Sequence, residues 1–221
     1  MILHNPFPRN DEFDPIIYVY AAESGDIASL EKAFNRGVDL HPDACEEAAS
    51  NGQLEALKWL REHNSEWDFR IGYYAALNNH FDILIWSLEN GCEWHEHIAG
   101  AASRNGHLHI LKWLLENRYK LGPNTYNAAA FRGQMEILHW LKENNISWDK
   151  DLCKSAAGGK NLNVIKWALA NGYIWNKQKT RAKALKHDAL DIVNWMDANQ
   201  IDSKIYLEAV KRDDIAFLEE A

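Results

Sequence analysis

All ten tryptophans of this 221-residue chain fall on two columns, and the main column advances in steps of 27 residues. Trp59, Trp86, Trp113, Trp140 and Trp167 follow one another at that interval, and Trp195 comes after 28. Trp67, Trp94, Trp148 and Trp175 form the second column, with Leu121 at its missing step. Self-similarity at a fixed period of this size marks a repeat architecture. Each unit is too small to bury its own apolar face and must share a core with its neighbours.

The surroundings of each Trp repeat as well. Ten and eleven residues upstream stands a pair of small residues: Ala48-Ala49, Ala75-Ala76, Ala102-Ser103, Ala129-Ala130 and Ala156-Ala157, with Ala184-Leu185 in the last copy. A turn follows, as in "SNGQ" and "RNGH". Then comes an apolar stripe at positions −5, −3, −2 and +1 from the Trp, as in Leu108, Ile110, Leu111 and Leu114. That spacing is one face of an α-helix. Asn90, Asn117, Asn144 and Asn171 fall four residues after the Trp and read as C-caps. Asp43, Asn124 and Asp151 read as N-caps of the small-residue helix.

Each unit is therefore helix, tight turn, helix, loop, and the small pair lets neighbouring helices approach closely. The expected fold is all-α, a solenoid of stacked helix-turn-helix repeats. The mid-helix Trp is read as a rung of a buried ladder between repeats, and the loop Trp as a second ladder beneath the loops. An exposed aromatic platform for bases or sugars is the competing reading, disfavoured by the core stripe beside every copy. Residues 1–17 form an N-terminal extension. Residues 18–221 form one repeat domain of about seven units plus a partial copy from Tyr206. The first copy, Ala21 to Leu40, carries Lys32 and Leu40 at the Trp positions and reads as a polar cap.

At "NGQLEALKWLREHN", "NGHLHILKWLLEN" and "RGQMEILHWLKENN" the chain resembles the ankyrin repeat. The Lys-Trp-Leu of the second helix and the loop pairs Trp67-Asp68 and Trp148-Asp149 are similar to short ankyrin-type repeats of large DNA viruses that infect amoebae, and of some protists. The period is shorter than the ankyrin period of about 33, and loops such as "NGCEWHEH" are too short for full β-hairpin fingers. The resemblance implies a protein-binding scaffold, no catalysis, no cofactor and a protein partner, which for a viral chain is a host protein. Some viral proteins of this type carry an F-box, and none is expected in the 17 residues that precede the first repeat here.

Charge bounds the partner. The formal net charge of −8 argues against general nucleic-acid binding. It is unevenly placed: residues 1–97 carry 18 Asp/Glu against 6 Lys/Arg, whereas residues 150–187 carry 9 Lys/Arg against 1 Asp. No apolar run approaches the ~18 residues of a membrane span. Three cysteines with no CxxC spacing fit a reducing compartment. An intracellular monomer is expected, in the cytoplasm or nucleus and, on the viral resemblance, of a host cell.

Chemistry-bearing patterns are few. His95-Glu96-His97, read as one loop, and the pair His107 and His109 invite a metal reading, but His107 and His109 point to different faces of a helix and no cysteine sits at ligand spacing from them. The polar column of Gln53, His80, His107, Gln134 and Asn161 fits turn hydrogen bonding. "AAGGKN" falls in an ordinary turn slot and matches no phosphate loop. No catalytic or metal-binding residue is expected.

The candidate site is the first-helix face, where copies differ from one another at positions −13, −12 and −9. Tyr73, Tyr74, Leu77, Arg104, Asn127, Phe131 and Lys154 are its expected partner-binding residues. Packing of these aromatics against the next repeat is the alternative for them. A second candidate is the basic patch Lys177, Lys179, Arg181, Lys183 and Lys186, suited to an acidic protein, a phosphate or nucleic acid.

Overall fold

A computed structural model describes residues 14–199. The described residues are helical with turns and loops, and no strand occurs among them. The partial copy expected from Tyr206 lies outside them, as does most of the N-terminal extension. Residue contacts divide the chain into two compact units, Met1–Glu93 and Trp94–Ala221.

In the first unit, α1 (Ile16–Ser24) and α2 (Ile27–Asn35), α3 (Ala44–Ser50) and α4 (Leu54–Glu62), and α5 (Arg70–Leu77) and α6 (Phe81–Glu89) form three antiparallel pairs. The first helices pack on one another, α1 on α3 and α3 on α5. In the second unit the pairs are α7 (Glu96–Arg104) with α8 (Leu108–Glu116), α9 (Asn124–Arg132) with α10 (Met135–Glu143), α11 (Leu152–Gly158) with α12 (Leu162–Ala170), and α13 (Lys177–Lys186) with α14 (Leu190–Asn199). There the row of first helices runs α7, α9, α11, α13.

The small pairs make these rows possible. Ala48, Ala49, Ala75 and Ala76 in one unit, and Ala129, Ala130, Ala156 and Ala157 in the other, are wholly buried between helices. The second helices contribute Leu57 and Leu60, Ile83 and Leu84, Ile110, Leu111 and Leu114, all inaccessible to solvent. Each such aliphatic side chain contributes about 1.5–3 kcal/mol on burial. The stripe is narrower than the sequence suggests. Residues at −5 are half-buried, and Leu190, at the last step, is 61% exposed.

Helix ends follow the repeat. In four copies the Asn four residues after the mid-helix Trp turns its amide back onto the Trp carbonyl: Asn90 to Trp86 at 2.8 Å, Asn117 to Trp113 at 2.9 Å, Asn144 to Trp140 at 2.9 Å and Asn171 to Trp167 at 2.7 Å. The next residue is left-handed, as at Asn64, Gly91, Arg118, Asn145 and Gly172.

The N-caps differ from expectation. Asp43 and Asp151 make no side-chain cap bond, and Asn124 lies inside α9 behind Pro123. The column after the loop Trp does this work instead. Asp68 Oδ1 accepts the Arg70 amide at 2.8 Å, His95 Nδ1 accepts that of His97 at 3.2 Å, Asp149 Oδ1 accepts that of Asp151 at 2.6 Å, and Asn176 Oδ1 accepts that of Lys179 at 2.9 Å. This is the physical reason for the Trp-Asp pairs.

The tryptophans do not run as two separate ladders. The loop ring of one repeat packs against the mid-helix ring of the next: Trp67 on Trp86 at 5.5 Å, Trp148 on Trp167 at 5.5 Å, Trp175 on Trp195 at 6.3 Å. Tyr119 joins in beside the missing step, 4.8 Å from Trp94 and 5.9 Å from Trp113. Trp175 and Trp195 are buried, but the other eight remain half-buried along the outer helices and loops.

Candidate functional site

In the first unit, Tyr73 and Tyr74 meet edge to face with centroids 5.3 Å apart, and both are half-buried, as is Leu77. The same unit carries a cleft lined by Pro42, Glu46, Glu66, Trp67, Asp68, Arg70 and Ile71. Arg70 spans it, 2.5 Å from Glu46 and 3.0 Å from Asp68. Burial pushes the Glu46 carboxyl above its ordinary value, and Arg70 offsets part of that shift. Arg61 covers the Trp67 ring at 4.2 Å.

In the second unit the −9 positions draw together across repeats. The Arg104 guanidinium, at the end of α7, lies 5.7 Å from the Phe131 ring centroid on α9. Gly158, the last residue of α11, is buried. A Cβ there would meet Lys183 Cε at 2.7 Å and the Phe131 ring at 3.5 Å. The missing side chain thus seats the Phe131 edge and the Lys183 stem on one glycine. Asn127 is half-buried with its amide oxygen enclosed and without a hydrogen-bond partner among the described residues, so that oxygen faces inward rather than toward a partner.

The basic stretch divides. Arg181 forms a two-point pair with Asp197 of α14, at 3.1 and 2.9 Å. That hydrogen-bonded pairing holds the Asp197 carboxyl below its ordinary value. Lys154 faces Asp151 at 3.5 Å. Lys179 and Lys186 are exposed, and Lys177 and Lys183 are half-buried. Sequence spacing pointed to the −9 column but not to the meeting of Phe131 and Lys183, which the paired glycines of "AAGGKN" announce only in retrospect.

Nothing in the described residues forms a group of three or more metal-competent side chains. His95 caps α7, and His97 Nδ1 lies 3.0 Å from the Asn124 amide nitrogen. The three cysteines are buried, and burial raises each thiol above its ordinary value. No described helix is long and apolar enough to cross a membrane.

Paired helices joined by tight turns, stacked through small residues on the first helix, define an ankyrin-type helical repeat. Among solved structures, the chain is similar to the human ASB11 ankyrin repeat domain, with 18% identity and a TM-score of 0.52 over 67% of this chain and 80% of that one. No family model matches the chain, and neither does any curated protein. The similarity establishes the fold.

Proposed function

We propose that the protein is a protein–protein interaction scaffold that presents its first-helix faces to a partner and performs no catalysis. The observation that carries this reading is the contact of same-column side chains across repeats, Arg104 on Phe131 with Lys183 beside them. Side chains already held against their neighbours lose little rotamer freedom when a partner arrives, and aromatic and arginine anchors dominate protein interfaces. Tyr73 and Tyr74 supply a similar pair in the first unit. The similarity to short Trp-bearing repeats of amoebal viruses makes a host protein of the cytoplasm or nucleus the expected partner, bound by a monomeric scaffold.

Affinity capture from host lysate tests this, comparing wild type with Tyr73→Ala/Tyr74→Ala/Phe131→Ala and with Lys112→Glu on the opposite, second-helix side of α8. A protein held by wild type and Lys112→Glu but lost from the triple variant is the expected result. Equal capture by all three rejects the first-helix face.

The alternative, a nucleic-acid or phosphate binder using the basic zone 154–186, draws support from its excess of Lys and Arg. The internal pairing of Arg181 and Lys154 weakens it.

A further inference from the structure

We infer that Arg104, Phe131 and Lys183 form one recognition element for an acidic peptide segment that carries an apolar side chain between its carboxylates. The inference deepens the scaffold reading and rests on it.

The geometry supplies the order of chemistry along the surface. Along the row α7, α9, α11, α13 the Arg104 guanidinium of α7 lies 5.7 Å from the Phe131 ring centroid on α9, and the ring's edge and the Lys183 stem of α13 both border Gly158 of α11. Gly158 holds this arrangement, since a Cβ there would lie 2.7 Å from Lys183 Cε and drive the ammonium off its seat. Ring and lysine stem together offer an apolar contact, with two cationic groups beside it.

Among the described residues the two cations have no carboxylate partner, whereas Arg181 and Lys154 are answered by Asp197 and Asp151. The surrounding sequence is basic, with 9 Lys/Arg against 1 Asp over residues 150–187. Complementary charge of that kind steers an acidic partner and fixes its register.

Single-stranded nucleic acid fits less well. It is bound by successive rings on which successive bases stack, and the −9 column from Arg104 onward reads Arg, Phe, Gly, Lys, with one ring. The overall charge of −8 also opposes a long polyanion.

Fluorescence anisotropy on the full chain tests the element. Three probes are used: a labelled dodecapeptide of glutamate and serine around one phenylalanine, the same peptide with lysine for glutamate, and an oligothymidylate of equal length. The acidic peptide is expected to bind saturably and more weakly as salt rises. Lys183→Glu and Arg104→Glu should each weaken it about tenfold. Gly158→Ala keeps every charge and is expected to weaken it about threefold by displacing the Lys183 ammonium. Lys112→Glu, the same charge change on α8, should leave it unaltered. Matching unfolding midpoints establish that the variants fold, and Lys183→Glu carries the test should Gly158→Ala fail.

Acidic-peptide affinity unchanged in Lys183→Glu overturns the inference. So does binding of the basic peptide or the oligothymidylate as tight as that of the acidic one. If the acidic peptide does not bind, yet a lysate protein is still lost from the triple variant, the recognition chemistry is wrong and the scaffold reading stands.

Discussion

The side-chain amide of Asn161 donates to the main-chain carbonyl of Phe131 at 2.9 Å and to that of Ala130 at 3.1 Å. Asn161 stands at the turn of one repeat, and the carbonyls close the first helix of the repeat before it. Gln53 reaches Glu23, His80 reaches Ser50 and Gln134 reaches Arg104 in the same way, at 3.3, 3.0 and 3.2 Å. The last carbonyls of a helix have no partner within it. The polar column supplies one from the next repeat and so couples register between neighbours. Asn161→Ala should therefore cost about 1–2 kcal/mol. Asn163→Ala, on the exposed side of α12, should cost almost nothing. Urea denaturation compares the two, and equal midpoints would remove the coupling role.

Two adjacent glycines should respond oppositely. A Cβ at Gly159 would stand 1.7 Å from the Phe131 carbonyl oxygen, which is backbone and cannot swing aside. At Gly158 the nearest atom is the far end of a lysine. Gly159→Ala is expected to destabilise by about 3 kcal/mol, the upper range for overpacking. Gly158→Ala should be close to neutral, since alanine's helix propensity offsets a small displacement. Thermal unfolding of both variants decides the matter, and similar losses would contradict it.

The repeat was legible because its strongest signals, a Trp every 27 residues, small pairs and Asn caps, each answer a local requirement of one helix. The N-caps were not. Asp43 has φ −83° and ψ −7°, already helical, so its carboxylate cannot reach forward to a free amide. The cap falls to the column two residues earlier, His41 in this copy. At the candidate site the variable column was readable, but its packing was not. Which residues meet depends on a Cβ that is missing at Gly158 and on Asp197, sixteen positions beyond Arg181 and on another helix.

The half-buried outer tryptophans redistribute the expected cost of substitutions. Leu111 is wholly buried, while Trp113, two residues on in α8, keeps part of its ring in solvent and leans on Tyr119 at 5.9 Å. Leu111→Ala should cost about 3–4 kcal/mol, and Trp113→Ala about 1–3 kcal/mol, despite the larger side chain removed. Chemical denaturation gives both values. A larger loss at Trp113 would show that the aromatic chain, rather than the aliphatic stripe, dominates stability.

Tyr126 offers a stabilising change. It is wholly buried on α9 and stacks on Trp148 at 5.3 Å, but its hydroxyl has no hydrogen-bond partner among the described residues. Burial pushes the phenol up to about 12, so it stays neutral at every working pH. An enclosed hydroxyl without a partner costs about 1–3 kcal/mol. Tyr126→Phe keeps the ring and removes that cost, so stability should rise by about 1 kcal/mol. A fall in the unfolding midpoint would mean that the hydroxyl is bonded, most simply through a buried water.

Glu46 gives the first unit a pH dependence of unusual sign. Its side chain is 14% exposed, and desolvation raises its carboxyl above the ordinary glutamate value even with Arg70 beside it. Folding therefore favours the protonated form. The group's contribution is fully present below the unfolded-state value and is lost as pH climbs through the higher folded-state value. Asp197 behaves oppositely: its lowered value gives a contribution present above the unfolded value and lost as pH falls. Glu46→Gln keeps the shape and removes the titration, while Arg70 keeps its bond to Asp68 at 3.0 Å. Its unfolding midpoint should decline less than that of wild type as pH rises from about 4.3, the usual glutamate value. Parallel curves for the two proteins would show that the carboxylate is solvated well enough to fold charged.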